Sequence, residues 1–222
     1  MNKNQLNDII TNRNITVIAI VGPSASGKSL FARTIYKELL PELGESGISI
    51  IKEDAYYKDQ TQLALYQRKQ TNYDHPNAFE HDLLCQQLKI LISGQAVECP
   101  VYCYQTHTRT PETIRLKPSK IILVEGILLF SNKILRKCFD IKVYMDTPLD
   151  ICLIRRIYRD TIERDRSLES ITEQYIKTVR PMYCQHISPT KSYADIVITQ
   201  GGKNRMAIEL LKAKIRQLSN QK

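Results

Sequence analysis

The chain predicts an α/β fold, a parallel sheet wound on both faces by helices, and three observations point there. An apolar run, Thr16-Val17-Ile18-Ala19-Ile20-Val21, leads directly into Gly22-Pro23-Ser24-Ala25-Ser26-Gly27-Lys28-Ser29, and a periodic segment, Leu30 to Leu40, follows. Short β-branched runs then alternate with amphipathic helical segments along the length, the pattern of βα units with parallel strands. Finally, Asp54, Glu125 and Asp146 each stand at the end of such a run, and the C-terminal strand ends of a parallel sheet are where ligands gather.

The segment from Gly22 to Ser29 matches G-x-x-x-x-G-K-[ST], the phosphate-loop pattern, and both flanks fit it. A chance match in a small-residue turn lacks the strand before and the helix after. Glycines let the backbone approach phosphate oxygens, while loop N–H groups and the helix N-terminus hold negative charge. The expected cradle is Gly22, Ser24, Ala25, Ser26, Gly27, Lys28, Ser29 and Leu30. Lys28 is expected to reach the β- and γ-phosphates and the Ser29 hydroxyl to sit on Mg²⁺. The expected ligand is a nucleoside triphosphate.

A length of 222 residues suits one domain with a small lid: a polar lead-in over 1–15, then a single domain over 16–222. Hydrophobic residues at 42% and charged ones at 25% are ordinary for a soluble globular protein. A net charge of +9 asks for an anionic partner: nucleotide phosphates, nucleic acid or a membrane surface. The six cysteines include no CxxC pair, and Cys99 and Cys103 have no second close pair to complete a zinc pattern. Reduced thiols in a cytoplasmic protein are expected. Met1 to Thr11 is polar, unlike a secretory signal, and no stretch approaches the roughly 20 apolar residues that span a bilayer.

In chain order, Pro41, Gly44 and Gly47 close the helix after the phosphate loop, and Ile48-Ser49-Ile50-Ile51-Lys52 is the second strand. After a tyrosine- and glutamine-rich segment, Asp74-His75-Pro76-Asn77 reads as a turn. Leu84, Leu88 and Leu91, with Leu83 and Ile92, form the stripe of a helix over 79–93. Residues 96–103 and 112–116 alternate across a Thr-rich link and predict a hairpin, about 96–116, standing off the sheet. Ile121-Ile122-Leu123-Val124 and Ile141-Lys142-Val143-Tyr144-Met145 are strands; Pro148 opens a long helix. A helix over about 170–187, a short strand at Asp195-Ile196-Val197-Ile198, and a helix with Ile208, Leu211, Ile215 and Leu218 on its apolar face complete the chain.

Phosphoryl transfer needs a carboxylate for Mg²⁺ or its waters, and often another to take the proton of the attacking hydroxyl. Glu125 fits the metal side and Asp54 the base; for each, the alternative is a cap on the next helix. For Asp146 the cap is the preferred reading, since Thr147-Pro148 opens a helix at once. Arg155, Arg156, Arg159, Arg164 and Arg166 lie within twelve residues. They read as a lid over about 155–170 that closes guanidinium groups on phosphates, or as a solvated face paired with Asp160, Glu163 and Asp165. A nucleic-acid patch is the third reading, and only Tyr158 interleaves the cluster to stack a base.

Taken together, these residues resemble the uridine–cytidine kinases, a family of P-loop nucleoside kinases, over about residues 16–218. The resemblance rests on GPSASGKS, Glu53-Asp54-Ala55-Tyr56-Tyr57, Tyr73-Asp74-His75-Pro76 and Pro100-Val101-Tyr102 with His107-Thr108-Arg109. It continues through Val124-Glu125-Gly126-Ile127, Arg155-Arg156 with Arg159-Asp160 and Glu163-Arg164, and Pro189-Thr190-Lys191 with Tyr193-Ala194-Asp195. It implies a P-loop kinase-type sheet with a hairpin and an arginine-rich helical lid. It also implies transfer of a phosphoryl group from ATP or GTP, with Mg²⁺, to the ribose 5′-hydroxyl of uridine or cytidine. By the same resemblance Asp54 is the base, Ser29 and Glu125 serve Mg²⁺, and Asp74 and Arg166 hold the ribose hydroxyls. Tyr57 stands among the substrate contacts, Tyr102 and His107 contact the base, Arg156 and Gln174 are further substrate contacts, and Arg159 and Arg164 face the phosphates. The family is typically a homotetramer with no nucleic-acid or membrane partner. Cys103 stands where the family usually has aspartate, and Gly201-Gly202-Lys203-Asn204 lacks the acidic residue often found near the donor base. Two other readings stand beside this one: a kinase of another small-molecule hydroxyl, phosphoribulokinase-like, and a non-catalytic nucleotide-dependent module that binds nucleic acid.

Overall fold

The computed structural model describes residues 15–220, so the expected polar lead-in lies outside the described residues except for Ile15. The chain runs β1 (Thr16–Val21), α1 (Lys28–Leu43), β2 (Ile48–Lys52), α2 (His81–Ile92), β3 (Val97–Cys103), β4 (Thr108–Leu116) and β5 (Ile121–Gly126). It continues with β6 (Ile141–Asp146), α3 (Leu149–Arg164), α4 (Leu168–Gln174), β7 (Ile196–Thr199) and α5 (Arg205–Asn220). Strands β2-β5-β1-β6-β7 form one sheet in that order, every pairing parallel.

Period-2 alternation divides β1 between two cores. Val17, Ala19 and Val21 face a layer with Leu84, Leu88 and Leu91 of α2 and the buried run Leu128-Leu129-Phe130. Ile18 and Ile20 face Phe31, Ile35 and Leu39 of α1 and Ile208, Leu211 and Ile215 of α5. Each such buried side chain contributes about 1.5–3 kcal/mol relative to exposure. Burial on both faces is why β1 reads as continuously apolar rather than alternating.

Three boundaries differ from the sequence reading. Pro41 lies inside α1, which runs to Leu43; Gly44 at φ +68° ends it, its N–H bonding Leu40 O at 2.9 Å. The hairpin turn is tighter than expected, because the Thr-rich link belongs to β4: Thr108 pairs with Cys103 and Arg109 with Tyr102. β-branched threonines suit a strand, and Thr108 is also tied down by Gln60 N to its Oγ1 (2.8 Å) and its own bond to Asp59 Oδ1 (2.9 Å). The helix expected over 170–187 is α4 followed by two wide π turns, Tyr175–Val179 and Tyr183–Ile187. Hydrophobic periodicity does not distinguish a π turn from an α turn. Asp146 is also corrected: its Oδ2 pairs with Lys191 Nζ at 2.5 Å, Pro148 takes the N-cap place of α3, and no side chain caps it.

The hairpin β3–β4 stands apart as a two-stranded sheet. It is fastened to α2 through Tyr56 OH to Gln87 Oε1 (2.6 Å) and Gln87 Nε2 to Glu98 O (2.9 Å). Among the described residues no helix is long and apolar enough to cross a membrane.

Glu53, wholly buried, anchors the turn after β2: its Oε1 lies 2.7 Å from His81 Nε2, and its Oε2 accepts from Leu128 N at 2.9 Å. A Cβ on Gly126 would stand 2.1 Å from that Oε2 and 2.4 Å from Glu53 Cβ. Gly126→Ala is therefore expected to lose about 1–3 kcal/mol of stability by overpacking, read as a lowered midpoint in denaturant unfolding. An unchanged midpoint would show the Glu53 anchor to be slack.

Candidate active site

The loop after β1 turns through Ala25 at φ +63° and Gly27 at φ +98° before α1 begins at Lys28. Left-handed residues here curl successive N–H groups around a concavity suited to an anion. Gly27 is required on space as well: a Cβ there would meet Gly202 N at 2.4 Å. Lys28 is buried and its Nζ donates to Pro23 O at 3.3 Å. Ser29 Oγ donates to Glu125 Oε2 at 2.9 Å, joining the start of α1 to the end of β5.

Around this loop lies a cleft of about 380 Å³. On its phosphate side are Ser24, Ala25, Gly27, Lys28, Ser29 and Leu30, with Glu125 and Asp54 beside them. Arg156, Arg159, Arg164, Arg166 and Gln174 close the lid side; Asp74, Tyr57, Tyr102 and His107 form the far wall. Gly22 and Ser26 do not line it. Gly22 faces Met145, Ser26 is wholly buried with its Oγ unbonded, and the backbone O of Ser26 accepts from Thr147 Oγ1 at 2.8 Å.

Asp54 does not cap the short helical turn Glu53–Tyr56, which has no side-chain cap. It faces the cleft, where its Oδ2 accepts from Tyr104 OH at 2.6 Å. Burial pushes the Glu125 carboxyl above its ordinary value, against the pull of Lys28 and the Ser29 hydrogen bond. Burial likewise raises Asp74, against the nearby Arg156. Asp160, also fully buried, goes the other way: burial works against its charge, but Arg159, Arg164 and Arg156 hold it below the usual carboxylate range.

Asp160 is the hub of the lid. Arg159 Nε lies 2.8 Å, Arg166 Nη1 3.4 Å, Arg164 Nη1 3.5 Å and Arg156 Nε 3.7 Å from its oxygens. Gln174 Oε1 accepts from both Arg156 Nη2 (3.0 Å) and Arg166 Nη1 (2.7 Å), and Arg156 Nη1 reaches Ser24 Oγ at 3.1 Å. Four of these arginines thus meet at Asp160, and Arg156 reaches the phosphate loop as well.

The far wall is aromatic. Tyr57 stacks on Phe79 at 4.1 Å and meets Tyr102 at 4.9 Å and Tyr73 at 5.1 Å. Tyr73 stacks on His107 at 5.6 Å, and its hydroxyl stands 2.9 Å from the Arg68 carbonyl and 3.2 Å from that of His107. His107 adopts a left-handed conformation, φ +52°. Burial, then the charges of Lys69, Arg166 and Arg164, lower the His107 pKa.

Sequence reasoning assigned no role to Tyr73, Tyr104 or Ile127, although all three line the cleft; Arg155 and Glu163, which it placed in the arginine cluster and among the acids paired with it, line the cleft too. Tyr73 is adjacent to Asp74, and Tyr104 lies in the hairpin turn two residues after Tyr102, proximity in sequence that could have flagged both.

The donor set fits Mg²⁺. The Ser29 hydroxyl and Glu125 carboxylate are hard oxygen ligands, and Mg²⁺ characteristically takes one or two protein oxygens, completing its shell with water and phosphate. No group of three or more His, Cys, Asp or Glu suited to a metal occurs among the described residues.

The sequence pattern of the phosphoribulokinase/uridine kinase family matches residues 17–207. A uridine kinase of Tolumonas auensis is 57% identical over 208 residues, covering 94% of this chain and 97% of that one. One from Shewanella halifaxensis is 54% identical over 209 residues, covering 94% and 99%. Among solved structures, a putative fructose transport system kinase from a Silicibacter species superposes with a TM-score of 0.67 at 14% identity, covering 89% of this chain and 99% of that one; this likeness speaks for the fold alone.

A carboxyl raised on folding favours the folded state below its unfolded value, near 4.3 for glutamate, and that advantage is lost as pH rises through the raised value. Ionised Glu125 therefore costs stability at neutral pH. Glu125→Gln should raise the ligand-free Tm, by about 2–4 °C for each kcal/mol relieved, with the gain shrinking toward about pH 4. Calorimetry across pH that finds no gain at neutral pH would show the carboxylate already compensated.

Proposed function

The chain belongs to the phosphoribulokinase/uridine kinase family, and from that premise we infer that it is a uridine/cytidine kinase. It transfers the γ-phosphoryl group of ATP, or GTP, to the ribose 5′-hydroxyl of uridine or cytidine, giving the nucleoside monophosphate. The observation that carries this reading is that one cleft holds the phosphate loop, an inward-facing aspartate and an aromatic wall with a histidine.

The triphosphate lies along the phosphate loop, with Lys28 on its β- and γ-phosphates. Ser29 and Glu125 are the residues to hold Mg²⁺, which when bound neutralises phosphate charge. The nucleoside base lies against Tyr57 and Tyr102, with His107 at the pyrimidine 4-position. Asp74 and Arg166 take the ribose hydroxyls, and Arg156 and Gln174 complete that wall. The 5′-hydroxyl oxygen attacks the γ-phosphorus as its proton passes to Asp54. The bond to the bridging oxygen breaks, and the nucleoside diphosphate leaves. Arg159 and Arg164 stabilise charge spread over the transferring oxygens. Closure of arginines and hairpin over the cleft excludes water. A sugar-phosphate acceptor has no base for the Tyr102/His107 wall to meet.

The family reading further carries a cytoplasmic homotetramer without a nucleic-acid role. Light scattering should give the mass of four chains, and a monomer mass would withdraw that assembly.

ADP release from ATP and Mg²⁺ with uridine, cytidine, adenosine, ribulose 5-phosphate or no acceptor tests the activity. Stimulation by uridine or cytidine alone is expected; stimulation by ribulose 5-phosphate alone would overturn the acceptor class. Asp54→Asn should lower kcat by about 10²–10⁴-fold, the usual span of general base catalysis, with ATP affinity little changed. Near-normal turnover would remove Asp54 from the role of base.

A further inference from the structure

Tyr104 sits between β3 and β4 at the tip of the hairpin, and the transfer chemistry above gives it no part. Yet its hydroxyl makes a short bond, 2.6 Å, to Asp54 Oδ2, in the range of charge-assisted O–H···O⁻ contacts. The ring is held on two sides. Tyr102 meets it edge-on at 5.3 Å and 83°, and the Arg164 guanidinium carbon lies over its face at 4.7 Å. Arg164 also reaches Asp160 at 3.5 Å, so this stack joins the hairpin tip to the lid helix. Burial, then the charge of Asp54, holds the phenol above its ordinary value. The phenol therefore keeps its proton and acts as the donor.

The bond raises a question of competition. A carboxylate base beside a bound triphosphate will activate water as readily as a sugar hydroxyl unless something else occupies it. We propose that Tyr104 is the placeholder: its hydroxyl occupies Asp54 until the nucleoside 5′-hydroxyl displaces it, denying the base to water and so setting the preference for transfer over hydrolysis. The placeholder rests on the reading of Asp54 as base. The phenol is kept from taking the phosphoryl group by its ring, pinned between Tyr102 and Arg164. Displacement by the nucleoside exchanges one hydroxyl donor on Asp54 for another, with no net proton transfer.

A placeholder and a mere support for Asp54 predict opposite kinetics. If Tyr104 only orients Asp54, losing its hydroxyl raises the nucleoside KM or lowers kcat. If it holds the acceptor's place, losing it lowers the nucleoside KM, because nothing has to be displaced, and opens Asp54 to water. A hydrogen bond to a charged group is worth roughly one to two powers of ten in an equilibrium. Water partly replaces it, so changes of about threefold to tenfold are expected in each quantity.

The test compares the full chain with Tyr104→Phe, which keeps the ring at a residue that is 44% exposed. ADP release from ATP and Mg²⁺ is followed without acceptor and over a uridine series. About tenfold faster acceptor-free release, with a nucleoside KM about threefold lower, is the expected result. Release in the Asp54→Asn/Tyr104→Phe double variant should return to the wild-type level. Unchanged acceptor-free release, a raised KM with lowered kcat, or fast release persisting in the double variant each overturns the placeholder. Wild-type release that no nucleoside stimulates would instead strike the kinase reading. Wild-type stimulation with an indifferent Tyr104→Phe strikes the placeholder alone.

Discussion

Parallel pairing makes β2, β5 and β1 finish at the same edge, and the site depends on that edge. Ile20 lies opposite Glu125, Val21 opposite Gly126, and Lys52 opposite Glu125 on the other side. The residues that leave those strands, the phosphate loop, Glu125 and Asp54, are therefore neighbours although about a hundred positions separate the first two in the chain. The 2.9 Å contact between Ser29 and Glu125 is the direct result. Since β1 is buried on both faces, a slip of one residue would send its isoleucines into the wrong core layer. The register that packs the sheet is the register that assembles the site.

The charges gathered there are held in opposing ways. Asp160 is a buried carboxylate within 4 Å of four arginines, so its ionised form is favoured despite burial. Glu125 and Asp74 are buried with less compensation, and their carboxyls are raised. The lid is thus internally neutralised at one point, while its remaining positive charge faces the phosphate loop. Lys28 and the lid arginines lining the cleft make an arrangement suited to a polyanionic ligand.

The aromatic wall depends on support that is not itself in the cleft. Phe79 backs Tyr57, Tyr73 backs His107, and the Tyr56–Gln87–Glu98 chain ties the hairpin to α2. These contacts set the separation between wall and phosphate loop, which decides whether an acceptor hydroxyl can reach Asp54 while its base is seated. Arg164 on the Tyr104 ring is the point where wall and lid touch.

The sequence by itself determined the elements whose signals are local. A G-x-x-x-x-G-K-S loop between a buried run and a helix, the leucine stripe of α2, and carboxylates placed directly after strands are all readable from spacing, because strand and helix periods are properties of the backbone. Tertiary structure alone decided where each carboxylate stands. Sequence set Asp146 apart as a helix cap, but Asp146 ends β6 against Lys191, while Asp54 opens into the cleft. Strand order and distant lysines are long-range facts that no local window contains. The same holds for the arginines, a lid or a solvated face by pattern and in the fold a set of four meeting at one buried Asp160, and for Tyr104, whose hydroxyl meets a residue fifty positions away. Local physics chose the elements; the packing of elements distant in sequence chose their roles.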